Sequence, residues 1–139
     1  MRGTTRSPER IPTIEAAGAE AILGDPDRVG TIAPALAQVG VVCVLLGSAR
    51  GTHQALTALH STRLEMLLTR VIDTTVRGFV YEAVGTVEET VLAEGAELVR
   101  SLCERSRIPF ALLEGDRGSG DEWAAGAAAA VEGVLAGSR

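Results

Sequence analysis

Lysine is absent from this 139-residue chain: all 13 basic residues are arginine. That excludes Schiff-base chemistry and any proton transfer that depends on an ε-amino group. Aromatic residues make up only 3% of the chain, so Ala, Val and Leu must fill the core that a 46% hydrophobic content implies. There are two cysteines, Cys43 in an apolar run and Cys103 in a helical pattern. They suit reduced thiols better than a disulfide. No apolar run reaches membrane-spanning length, and residues 1–6 lack the hydrophobic region of a signal peptide. A cytoplasmic location with no membrane partner is expected. The net charge of -5 comes from dispersed acids, and no basic patch interleaves with aromatics, which argues against a nucleic-acid partner.

What is present is organised around residues 41–49, the run Val41-Val42-Cys43-Val44-Leu45-Leu46-Gly47-Ser48-Ala49. A β-branched apolar run closed by a small-residue turn reads as a strand buried on both faces of a parallel sheet. Ligands of such sheets bind beyond the carboxyl ends of the strands, which draws attention to Gly47, Ser48 and Ala49.

The rest of the chain alternates around that strand. A short strand over residues 1–6 leads into a helix started by Ser7-Pro8-Glu9-Arg10 and stopped at Gly18. A second strand covers 19–23, and a helical stripe over 28–38 is interrupted by Pro34. After the central strand come helices over 52–59 and 61–74, then a strand between Gly78 and Gly85. A long amphipathic helix over 87–106, a last strand over 110–113 and an alanine-rich helix over 122–136 complete the chain. Strands alternating with helices predict an α/β fold, one domain with a Rossmann-like parallel sheet flanked by helices. The glycine-rich segment 114–120 reads as a flexible surface loop, because Asp116 within it and Asp121 just after it would repel a phosphate.

In this order the motifs resemble the short-chain dehydrogenase/reductase superfamily, in particular its atypical and extended epimerase-like members. Residues 2–10 look like that family's second strand and turn, and Gly24-Asp25-Pro26-Asp27 looks like its adenine-holding loop. Leu46-Gly47-Ser48-Ala49 stands where the loop after the fourth strand would be, and His60-Ser61-Thr62-Arg63 resembles an Asn-x-x-Gly-Thr-Arg helix start. Phe79-Val80-Tyr81-Glu82-Ala83-Val84 parallels the strand that usually ends in two serines. Ile108-Pro109-Phe110-Ala111-Leu112-Leu113 parallels the strand that usually leads into Arg-Pro.

The departures are specific. No Gly-x-Gly-x-x-Gly loop is present, because in register the chain begins at the family's second strand. The fold is therefore expected to be N-terminally incomplete, with Met1 a truncated or misassigned start, unless the strands on either side pair directly. The family's Tyr-x-x-x-Lys pair is also missing, since Gly85 stands where the lysine would follow Tyr81. Proton donors near a substrate carbonyl are then limited to Tyr81, Glu82, His53 and His60.

The resemblance implies a bound dinucleotide, NADP before NAD, because Arg6 at the end of the first strand is placed for a 2′-phosphate. A solvated arginine is the plainer reading. With a truly truncated start, no cofactor is expected. Asp25 is either an adenine contact or an ordinary Asp-Pro turn residue. Leu46, Gly47 and Ser48 either cradle a ribose or phosphate or form only a tight turn. Tyr81, Glu82 and His60 are the candidate catalytic set; the alternatives are a structural His60 and an ion pair of Glu82 with Arg77 or Arg63. No carboxylate or cysteine completes a metal spacing with His53 and His60, so no metal site is expected.

The functional expectation is an NAD(P)-binding epimerase- or reductase-like domain acting on a small molecule. The alternative is a non-catalytic dinucleotide-sensing or protein-binding domain. The helix over 87–106 is either a homodimer face or core.

Overall fold

Each apolar run short enough for a strand is followed by a segment with helical periodicity, and the computed structural model, which describes residues 1–137, folds them accordingly. Strand β1 (Arg2–Thr5) leads through a 3-10 turn (Pro8–Arg10) into α1 (Ile11–Ala16), followed by β2 (Glu20–Leu23) and α2 (Val29–Ile32). The expected helix over 28–38 divides here. Pro34 has no N–H to give, and the chain continues as a 3-10 turn (Ala33–Leu36). Strand β3 (Val41–Val44), helices α3 (His53–Leu59) and α4 (Thr62–Ile72), and strand β4 (Gly78–Glu82) come next. The 18-residue α5 (Glu89–Ser106), β5 (Phe110–Leu113), a 3-10 turn (Arg117–Ser119) and α6 (Asp121–Gly137) complete the described chain. No helix among the described residues is long and apolar enough to cross a membrane.

All strand ladders among the described residues are parallel, as expected of an α/β fold. β1 pairs with β2, Arg2 opposite Glu20 and Thr5 opposite Leu23. Separately, β3, β4 and β5 form a three-stranded sheet in that order, with Val44 opposite Tyr81 and Tyr81 opposite Leu112. Among the described residues no ladder joins the two sheets, so β1 and β3 do not close up by direct pairing.

The core is centred on β4, where Phe79, Val80 and Tyr81 are fully buried. Alternation along the strand sends Phe79 and Tyr81 to one face, against Leu64, Leu68 and Val71 of α4 and Val99 and Cys103 of α5. Val80 goes to the other face, with Leu113 and Val134 of α6. Each such buried side chain contributes about 1.5–3 kcal/mol of transfer free energy.

The run 41–49 departs from expectation in two ways. β3 ends at Val44, because residues 46–49 turn, with the Ala49 N–H bonded to the Leu46 carbonyl (3.2 Å). It is also an edge strand: Val41 and Val42 are half-buried and Cys43 is exposed. Periodicity reports how apolar a strand is but not how many neighbours it has.

Side chains connect the sheets. The Arg2 guanidinium donates to the carbonyls of Ala35 (3.1 Å) and Ala37, just before β3. Asp27, beyond β2, lies 3.7 Å from Arg63 at the start of α4. These ties bring the starts of β1 and β3 together and put the carboxyl ends of both sheets on one side.

Candidate functional site

The carboxyl edge gathers Arg6, Asp25, the loop after β3, Glu82 and the loop after β5. Arg6 follows β1 directly, and its side chain is 61% exposed. Its guanidinium is 3.9 Å from Asp27, whose other oxygen faces Arg63 at 3.7 Å. Two guanidinium groups thus face one carboxylate beyond β1.

Asp25 shapes the chain. Its Oδ1 accepts the Asp27 N–H (2.9 Å), while its own N–H donates to Thr31 Oγ1 (2.8 Å). This is a side-chain-closed turn, and Thr31 returns its hydroxyl to the backbone carbonyls of Asp25 and Arg28.

The loop after β3 packs inward. The Gly47 N–H donates to Glu82 Oε1 (2.8 Å), and the Gly47 carbonyl accepts from the Val87 N–H (3.0 Å). Only glycine fits, since a Cβ there would lie 2.6 Å from the Val84 carbonyl oxygen and 2.9 Å from Glu82 Cγ. Ser48 Oγ accepts from the Thr86 N–H (3.3 Å), and the Leu46 carbonyl receives His60. The polar groups of Gly47 and the Ser48 hydroxyl therefore hold the loop to the β4–α5 connection.

His60 and Tyr81 meet beneath that loop. Both are buried, with His60 Nδ1 2.6 Å from the Tyr81 hydroxyl and Nε2 3.1 Å from the Leu46 carbonyl. A carbonyl can only accept, so Nε2 carries the proton and the Tyr81 hydroxyl donates to Nδ1. Burial lowers the pKa of His60 below its ordinary value and keeps it neutral. Burial first, and the charge of Glu82 second, raise the Tyr81 pKa. The phenol fits because Gly95 of α5 has no side chain at the point of contact.

Glu82 faces the opposite way, as the neighbour of Tyr81 on a strand must. Its fully buried side chain pairs with Arg117: Nε donates to Oε2 (2.6 Å) and Nη2 to Oε1 (2.9 Å). Nη2 also donates to the Leu45 carbonyl (2.8 Å), and the guanidinium lies 4.8 Å from the Trp123 ring centroid.

The expected catalytic residues Tyr81, Glu82 and His60 are thus neighbours in two separate hydrogen-bonded sets. The ion pair of Glu82 is with neither Arg77 nor Arg63. Arg117 was missed because it sits in a glycine-rich loop 35 residues from its partner. The one local signal was Asp116, whose carboxylate accepts the Gly118 N–H (2.8 Å) and preforms the turn. His53, exposed at the start of α3, pairs with Glu88 (3.1 Å) instead of joining His60.

A cavity of about 550 Å³ lies at the opposite edge of the sheet, between Ile108, Pro109 and Phe110 and the small residues Ala130 and Gly133 of α6. It is an open groove left by small side chains, and none of the candidate site residues lines it.

No protein-family model and no curated protein matches the chain. Solved structures do. Triphenylmethane reductase of Citrobacter sp. complexed with NADP(H) superposes with a TM-score of 0.61 at 18% identity, covering 81% of this chain and 38% of that one. A second structure of that reductase gives 0.59 at 19% identity with the same coverage. The protein gox2253 gives 0.63 at 16% identity, covering 80% of this chain and 41% of its own. The fold is therefore the Rossmann-like one of these proteins, and the chain spans about two-fifths of their length.

Proposed function

We propose that the chain is an NAD(P)-binding, reductase-like domain that seats a dinucleotide along the carboxyl edge of its strands, NADP in preference to NAD. The observation that carries this reading is Arg6: an exposed guanidinium at the tip of β1 in a Rossmann-like fold, which shares the Asp27 carboxylate with Arg63. A planar guanidinium suits a 2′-phosphate. The residues present fit that end of the ligand, with Arg6 and Arg63 toward the phosphate and the Asp25 turn toward the adenine. They supply no glycine-rich loop for the pyrophosphate. When bound, the nicotinamide would supply hydride chemistry.

Within this reading Tyr81 and His60 hold the loop after β3 from below, and Glu82 holds it from the other face. Their burial and mutual pairing favour the non-catalytic, dinucleotide-sensing form of the proposal over proton transfer to a small carbonyl substrate.

Thermal unfolding with NADPH, NADH and adenosine diphosphate tests the reading. A ligand at about a hundred times its Kd adds about 2.7 kcal/mol of stability, a shift of several degrees. NADPH is expected to raise the midpoint more than NADH, and Arg6→Ala is expected to remove the difference. A cooperative transition that no dinucleotide shifts overturns the proposal.

A further inference from the structure

The loop over 114–120 carries three glycines, yet one of its side chains bonds to the ends of two strands. We infer that Arg117 is a positioning residue: it latches the loop after β5 onto the carboxyl edge and, through Glu82, fixes the Gly47 amide in the loop after β3. The inference rests on the dinucleotide reading only insofar as that edge is the ligand's.

Both Glu82 carboxylate oxygens are occupied, Oε1 by Gly47 and Arg117 and Oε2 by Arg117. The same guanidinium reaches the Leu45 carbonyl, so one side chain ties the ends of β3 and β4 to the turn beyond β5. A buried carboxylate with its Arg117 partner removed is uncompensated and turns toward water. Gly47 then loses its acceptor. Lysine cannot replace the fork, which contacts two carboxylate oxygens and a carbonyl at once. Trp123, the single tryptophan, lies against the guanidinium and reports its position.

The test uses the whole chain with Glu82→Gln, which keeps the shape but not the charge, and Arg117→Lys, which keeps the charge but not the fork. Amide hydrogen exchange, Trp123 emission and trypsin cleavage are followed. Both variants are expected to speed exchange at Gly47 by about tenfold or more, the equivalent of one hydrogen bond, while the amides of α5 stay protected. Trp123 emission shifts in both, and in Glu82→Gln trypsin cuts faster after the released Arg117. Gly47 exchange within about twofold of wild type, or a rise shared equally by α5, overturns the latch. None of these readouts uses a ligand. A chain that passes them but shows no shift with NADPH therefore supports the latch while overturning the dinucleotide reading.

Discussion

The two sheets of this molecule share a parallel ladder and differ in enclosure. Every residue of β4 is buried, whereas β1 and β2 contain only half-buried and exposed ones. β4 has a strand on each side, helices α4 and α5 over one face and α6 over the other. Among the described residues β1 and β2 have one neighbour each, and α1 packs against them, its Ile14 within 3.0 Å of where a Cβ on Gly3 would sit. Parallel strands gain most where both faces are covered, so the three-stranded sheet carries the stability. The two-stranded sheet is held by side chains such as the Arg2–Glu20 pair (3.2 Å) and presents the charged cluster around Asp27.

The contrast can be broken at its strongest point. Phe79→Ala, at the centre of β4, should cost about 3–5 kcal/mol in urea unfolding. Ile22→Ala, at the half-buried equivalent in β2, should cost about 1 kcal/mol. Equal losses would mean that the two sheets are equally enclosed.

The His60–Tyr81 pair provides the next test. Tyr81→Phe leaves the buried Nδ1 of His60 without its donor and should cost about 1–3 kcal/mol. Because the folded pKa of His60 lies below its ordinary 6.5, the unfolded chain takes up its proton first as pH falls. This contribution to stability is complete above pH 6.5 and is lost as pH drops from there through the folded value. Denaturation at about pH 7.5 and about pH 5 should show this loss in wild type and less of it in His60→Gln. An equal loss in both would assign the dependence to other groups.

The smallest effect is expected at Leu23, 51% exposed at the end of β2. Leu23→Ser should change stability by no more than about 0.5 kcal/mol. A loss near that of Phe79→Ala would place Leu23 in a core that the fold does not have.

Much of this was legible in the chain. The order of strands and helices followed from apolar period and from glycine and proline punctuation, and the strand between Gly78 and Gly85 was marked by those glycines, although β4 ends at Glu82. The Asp25 turn was readable from Asp-Pro alone. Other features depend on distant residues. Glu82 stood out as a charge in an apolar strand, but its partner could not be chosen among thirteen arginines, because the choice is made by the return of the chain after β5. Gly47 read as either a ribose or phosphate cradle or a tight turn, but the approach of Val84 and Glu82 that leaves no room for a side chain there depends on residues far along the chain. The edge position of β3 was invisible for the same reason: pairing is a property of the sheet.

The two cysteines turn that edge into an address. Cys103 is sealed in the core with its thiol pKa pushed up to about 11, while Cys43 lies exposed in the middle of β3. Partial burial raises the Cys43 pKa and slows its chemistry, but it remains the only thiol a reagent can reach. A maleimide dye will therefore attach at one place, beside the unpaired side of the strand. The native sequence thus carries its own footprinting probe: whatever comes to lie along β3, from this chain or another, will be recorded as protection of a single sulfur.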